Sequence, residues 1–129
     1  MHGPSPRLRP LPVHLHIPRH ACSPRDACRA GDHTNHPRYV DWLDEAISRW
    51  LARQGRDPVQ LVPVAEQVRY LSAARAGDAL TVEGARVGTV AGAGVFNLSV
   101  RRADADALPT TICEATLIRA QLDDPRAYA

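Results

Sequence analysis

Apolar Val13, Leu15 and Ile17 alternate with His14 and His16, the two-residue period of a strand, and the run 13–21 is expected to be one. Residues 22–36, with Pro, Gly, Asp and Asn, read as a long loop. The period then changes. Tyr39, Leu43, Ala46, Ile47, Trp50 and Leu51 recur at helical spacing, while Arg38, Asp41, Asp44, Glu45 and Arg49 take the other flank. Pro37 suits the first turn of that helix, where its missing N–H costs nothing. Asn35 or His36 is the cap, Asn being the better one. Glu45 and Arg49 stand at the spacing of an i,i+4 ion pair. In "QGRDP" (54–58) Gly55 supplies a left-handed stop, with Pro58 beyond it. The stretches 61–71, 79–88, 92–103 and 110–120 are long and rich in β-branched residues, so they read as strands. "ARAGD" (74–78) and "DADALP" (104–109) are the clearest connections.

One strand, one helix and four strands make an α+β chain. A single helix serves such a sheet by lying across one face, the other face being solvated or shared with a second subunit. Residues 1–11 are Pro- and Arg-rich and are expected to be poorly ordered, leaving 12–129 as one domain. The apolar fraction of 44% and charged fraction of 23% are those of an ordinary globule. A net charge of +2 without a basic run gives no nucleic-acid footprint. No run is long and apolar enough to span a membrane, and "MHGPSPRLRPLP" has no signal-peptide core. Cys22, Cys28 and Cys113 form an odd set without framework spacing, which fits free thiols in a reducing cytoplasm.

The chemistry-bearing residues gather at one place. "GDHTNHPRY" (31–39) sets an acid, two histidines and an asparagine directly ahead of the helix, whose first N–H groups are free to polarise an anion or a carbonyl. Plainer readings stand beside this one. Asp32 after Gly31 is ordinary turn chemistry, Asn35 a cap and His36 a solvated loop residue. Tyr39 and Trp42 suit a core or a pocket wall, Glu45 a surface ion pair, and Arg75 either a turn or an anion contact. His14, His16, His20, Cys22, Cys28, His33 and His36 are a dense set of metal-ligand types. However, Cys22 and Cys28 are too far apart for a zinc finger, and no metal is assigned.

The order of elements resembles the hotdog fold, a long antiparallel sheet around one helix. More narrowly, the chain is similar to the 4-hydroxybenzoyl-CoA thioesterase-like and acyl-carrier-protein thioesterase-like family. The resemblance is carried by His33-Thr34-Asn35-His36-Pro37-Arg38-Tyr39, followed by Trp42 and Glu45-Ala46, and by "VRYLSAARAGDALTVE" (68–83). The family's usual acid, a few residues before the His, falls on Arg29. A one-residue insertion would bring Cys28 there and Asp26 to the preceding acid.

The resemblance implies an acyl thioesterase acting on an acyl-CoA or on an acyl- or polyketidyl-carrier-protein thioester, cytoplasmic, with no cofactor, as a homodimer or homotetramer. It implies Asp32, His33 and Asn35 as the catalytic set, with His36, Tyr39, Trp42 and Arg75 against substrate. Asp26, Cys28, Arg29 and Glu45 are further candidates. Two other readings share the fold: a hydratase or dehydratase, echoed in "GDHTNHP", and a non-hydrolytic protein that binds or cyclises an acyl or polyketide chain.

Overall fold

A computed structural model of the chain describes residues 11–18, 36–56, 60–75, 77–102 and 110–121. The elements in chain order are β1 (Val13–Ile17), α1 (His36–Arg53), β2 (Leu61–Tyr70), β3 (Leu80–Val90), β4 (Ala93–Arg102) and β5 (Thr110–Gln121). The five strands form one antiparallel sheet in the order β1-β3-β4-β5-β2. Among the described residues one helix lies on one antiparallel sheet, the hotdog arrangement that the sequence resemblance implies.

Helix α1 forms where the apolar stripe runs. Tyr39, Trp42, Leu43, Ala46, Ile47, Trp50 and Leu51 are all buried, so the expected face is the one that packs. They meet Val13, Leu15 and Ile17 of β1, Leu80 and Val82 of β3, Phe96, Leu98 and Val100 of β4, and Ile112, Ala115 and Leu117 of β5. His14 and His16 project from the exposed side of β1. The expected Glu45–Arg49 pair closes at 2.9 Å.

The helix ends in a Schellman motif. The Gly55 N–H donates to the Ala52 carbonyl at 3.0 Å and the Arg56 N–H to the Leu51 carbonyl at 3.2 Å, with Gly55 at φ 78°. Near that end the Trp50 indole N–H donates to the Leu11 carbonyl at 2.8 Å and Arg53 to the Pro12 carbonyl at 3.1 Å, pinning the lead into β1.

Strands β3 and β4 are joined by Ala91 and Gly92, both at positive φ (49° and 83°), the signature of a type I′ hairpin. The sheet order departs from the chain order at β2. That strand does not pair with β3, its successor, but crosses to the far edge and pairs with β5. Most of its side chains are exposed. The first strand ends at Ile17, before Pro18, short of the expected 13–21. Residues 1–10 lie outside the described residues.

Candidate functional site

The start of α1 is held by one aromatic side chain. Tyr39, buried at 1% exposure, accepts the Ala74 backbone N–H on its hydroxyl at 3.1 Å. Its ring meets Trp42 edge-on at 5.5 Å and Tyr70 at 5.9 Å. The Arg38 guanidinium lies 5.5 Å from the centre of a Trp42 ring, a cation–π contact. The segment following β2 is thereby fixed against the first turns of the helix.

Three further anchors hold that segment. The Leu71 and Ser72 N–H groups both donate to the Ile112 carbonyl, at 2.8 and 3.1 Å. Arg102 donates to the Ala73 carbonyl at 3.1 Å and pairs with Asp78 at 3.2 Å. The turn 75–78 closes on itself: the Asp78 N–H donates to the Arg75 carbonyl at 3.0 Å, and the Arg75 N–H to the Asp78 carboxylate at 2.7 Å. Gly77 at φ 82° takes the left-handed position such a turn requires. The Arg75 side chain stands at the exposed tip.

The residues expected at the site divide as follows. Asp26, Cys28, Arg29, Asp32, His33 and Asn35 lie outside the described residues. His36 and Pro37 open α1, so Pro37 occupies the first turn as expected. Tyr39 and Trp42 come together in the core beneath the helix start. Glu45 is on the exposed side of α1, engaged with Arg49. Of the seven metal-ligand types in the N-terminal third, only His14 and His16 have described side chains. Among the described residues no cluster of three or more metal-ligating side chains occurs.

Among the described residues the core holds one charged side chain, which the sequence pattern did not single out. Arg119 of β5 is buried and donates to Asp44 at 2.7 Å and to Glu66 at 3.0 Å. Burial works to lower its pKa, but the two carboxylates outweigh burial and hold it above the usual arginine value. The alternation Ala115, Leu117, Arg119 was the available signal, because it sets a cation at the next inward position of an apolar face. Cys113 is also buried, and burial pushes its thiol up to about 11.

No helix among the described residues is long and apolar enough to cross a membrane. An open concavity of about 560 Å³ lies on the sheet face away from α1, between Arg69, Glu83, Asn97 and Glu114.

Comparison with known proteins adds to this geometry. Residues 31–102 match the sequence profile of the thioesterase superfamily. No curated protein matches the chain in sequence. Among solved structures, a mutant 4-hydroxybenzoyl-CoA thioesterase in complex with 4-hydroxybenzoyl-CoA superposes with a TM-score of 0.73 at 20% identity, over 85% of this chain and 83% of its own. A 1,4-dihydroxy-2-naphthoyl-CoA thioesterase from Synechocystis gives 0.68 at 15% identity, over 90% and 85%. An acyl-CoA hydrolase from Staphylococcus aureus, in complex with butyryl coenzyme A and coenzyme A, gives 0.67 at 15%, over 88% and 66%.

Proposed function

Starting from the chain's membership of the thioesterase superfamily, which makes it a thioester hydrolase, we propose that it cleaves an acyl-CoA thioester at the N-terminus of α1. The observation that carries this is the extent of the family match. It begins at Gly31, runs through Asp32, His33, Asn35 and Tyr39, and continues beyond the turn at Arg75. The bond from Ala74 to Tyr39 supports the reading, because it joins the two segments that the match contains.

The first N–H groups of a helix have no partner within it and carry its partial positive charge. They suit the thioester carbonyl oxygen as it becomes an oxyanion. His33 accepts the proton of the attacking water or orients the acyl carbonyl, with Asp32 beside it in sequence to activate the water or fix the imidazole. Asn35 caps the helix and positions the ester. Water oxygen bonds to the carbonyl carbon, the carbon–sulfur bond breaks, and the sulfur leaves as thiol once protonated. No cofactor is needed.

His36, Tyr39 and Trp42 border the acyl group, and Arg75, exposed at its turn, faces a phosphate of the carrier arm. Asp26, Cys28, Arg29 and Glu45 are second candidates for substrate contact. The carrier is coenzyme A, the group named in the three solved structures, rather than a carrier protein. The working form is a homodimer in the cytoplasm. Strand β2 supports the dimer: it is a ten-residue sheet edge carrying Val64 at 57% and Tyr70 at 37% exposure, the kind of edge that a second chain covers. Free thiol released from acyl-CoAs, with acylated carrier protein as the parallel substrate, tests both the reaction and the carrier.

A further inference from the structure

At the other end of α1, beside its Schellman turn, a partly open cavity of about 140 Å³ lies between the helix and strands β2, β3, β4 and β5. An 18-residue helix is about 27 Å long, so this cavity is remote from the helix start. Its apolar side is built from Ile47, Trp50 and Phe96, the two rings edge-to-face at 5.6 Å. Its polar side is built from Arg56, Arg86 and Arg119.

The three arginines differ in how their charge is met. Arg119 has Asp44 and Glu66. Among the described residues Arg56 reaches the neutral amide oxygen of Gln121, at 3.4 Å, and no carboxylate. Arg86 stands across from Phe96 in the β3–β4 ladder, and among the described residues no carboxylate pairs with it. Gly94 lets the Phe96 ring lie close over the strand. A Cβ at that position would lie 2.9 Å from the Phe96 ring and 3.7 Å from the Arg86 side chain.

A cavity of this size, roughly 150 Å³, holds one benzene ring, and two guanidinium groups beside it hold a carboxylate well. We propose that this cavity binds a small aromatic carboxylate, its ring against Trp50 and Phe96 and its carboxylate between Arg56 and Arg86. The ligand supplies a counter-charge that no described carboxylate places beside Arg56 or Arg86. The proposal stands apart from the thioester reaction and is read by binding alone.

The test titrates the full chain with benzoate, with benzamide as the uncharged match and acetate as the ringless one, following the tryptophan indole N–H resonances. Benzoate is expected to saturate the Trp50 signal, with benzamide and acetate each at least tenfold weaker. Arg86→Met and Arg56→Gln are each expected to weaken benzoate at least tenfold while the thermal melt stays cooperative. The proposal is overturned if benzamide binds as well as benzoate. It is overturned equally if benzoate does not saturate, if both variants fold and bind unchanged, or if the shifts centre on Trp42 instead of Trp50. The benzoate–benzamide comparison needs no variant, so it decides the matter even if a substituted chain fails to fold.

Discussion

The Tyr39 hydroxyl accepts the backbone N–H of Ala74 at 3.1 Å, and both residues are buried. One side chain from the first turns of α1 thus completes the hydrogen bonding of a segment 35 residues further along. Tyr39→Phe removes the acceptor and leaves the Ala74 N–H buried and unpaired, which costs about 1–3 kcal/mol. The expected result is a lower denaturant midpoint with an unchanged m-value. Amide exchange at Ala74 should also speed up relative to the β4–β5 ladder.

Arg119 gives a sharper comparison. Asp44→Asn keeps the shape of one partner but removes its charge, leaving Glu66 as the carboxylate that balances the buried guanidinium. Because Asp44 and Glu66 are partly exposed, the loss is set at about 1–3 kcal/mol, below the range for a fully buried pair. Arg119→Met removes the cation and retains an apolar stem. It is expected to cost less than Arg119→Ala, which also opens a cavity. Urea unfolding of the three variants checks the order.

Cys113 should be chemically silent in the native protein. With its thiol raised to about 11 and its side chain buried, the thiolate is scarce at pH 8. Mass spectrometry after iodoacetamide at that pH is expected to find the Cys113 peptide unmodified until denaturant is added. The linkage has a definite sign. The folded thiol holds its proton to higher pH than the unfolded one, so this contribution is complete below about pH 9 and is lost as pH rises through about 11. Cys113→Ala should therefore flatten the alkaline fall in stability by about 2–3 kcal/mol.

Gly84 fixes the approach of β3 to β4. Its φ is 156°, and a Cβ there would meet the Asn97 carbonyl oxygen and come within 2.8 Å of the Leu98 side chain and 2.9 Å of the Leu98 backbone. The backbone atoms cannot move aside cheaply. Gly84→Ala is expected to cost more than 2 kcal/mol and to disturb the pairing of Gly84 with both Val13 and Leu98. Gly88→Ala is the control, since a Cβ there meets nothing within 4 Å.

Local periodicity carried most of the fold. The stripe from Tyr39 to Leu51 is the buried face, Gly55 is the helix stop, and the four later strands lie close to their expected positions. What the chain did not disclose is long-range. Nothing in residues 61–71 says that β2 pairs with β5 rather than β3, because strand order depends on which edges meet after collapse, not on local pattern. Asp44 shows the same limit. Its spacing places it on the polar flank of α1, yet it turns to a cation on β5 that only the folded sheet brings near. At the candidate site, the sequence identified Tyr39 and Trp42 as core or wall and gave Arg75 its turn. It could not foresee the hydroxyl bond to Ala74, which joins two motif segments that were recognised separately. The roles of Asp32, His33 and Asn35 rest on the family motif, since these residues lie outside the described ones.

Thioester hydrolysis at the start of α1, with His33 at its centre, is what we propose for this chain. Free-thiol release from a panel of acyl-CoAs, wild type beside His33→Ala, tests it most directly. Turnover on at least one acyl-CoA is expected, with a fall in kcat/KM of about 10²–10⁴-fold in the variant and an unchanged thermal melt. Equal turnover by a folded His33→Ala chain, or no thiol release from any acyl-CoA by the wild type, would contradict it.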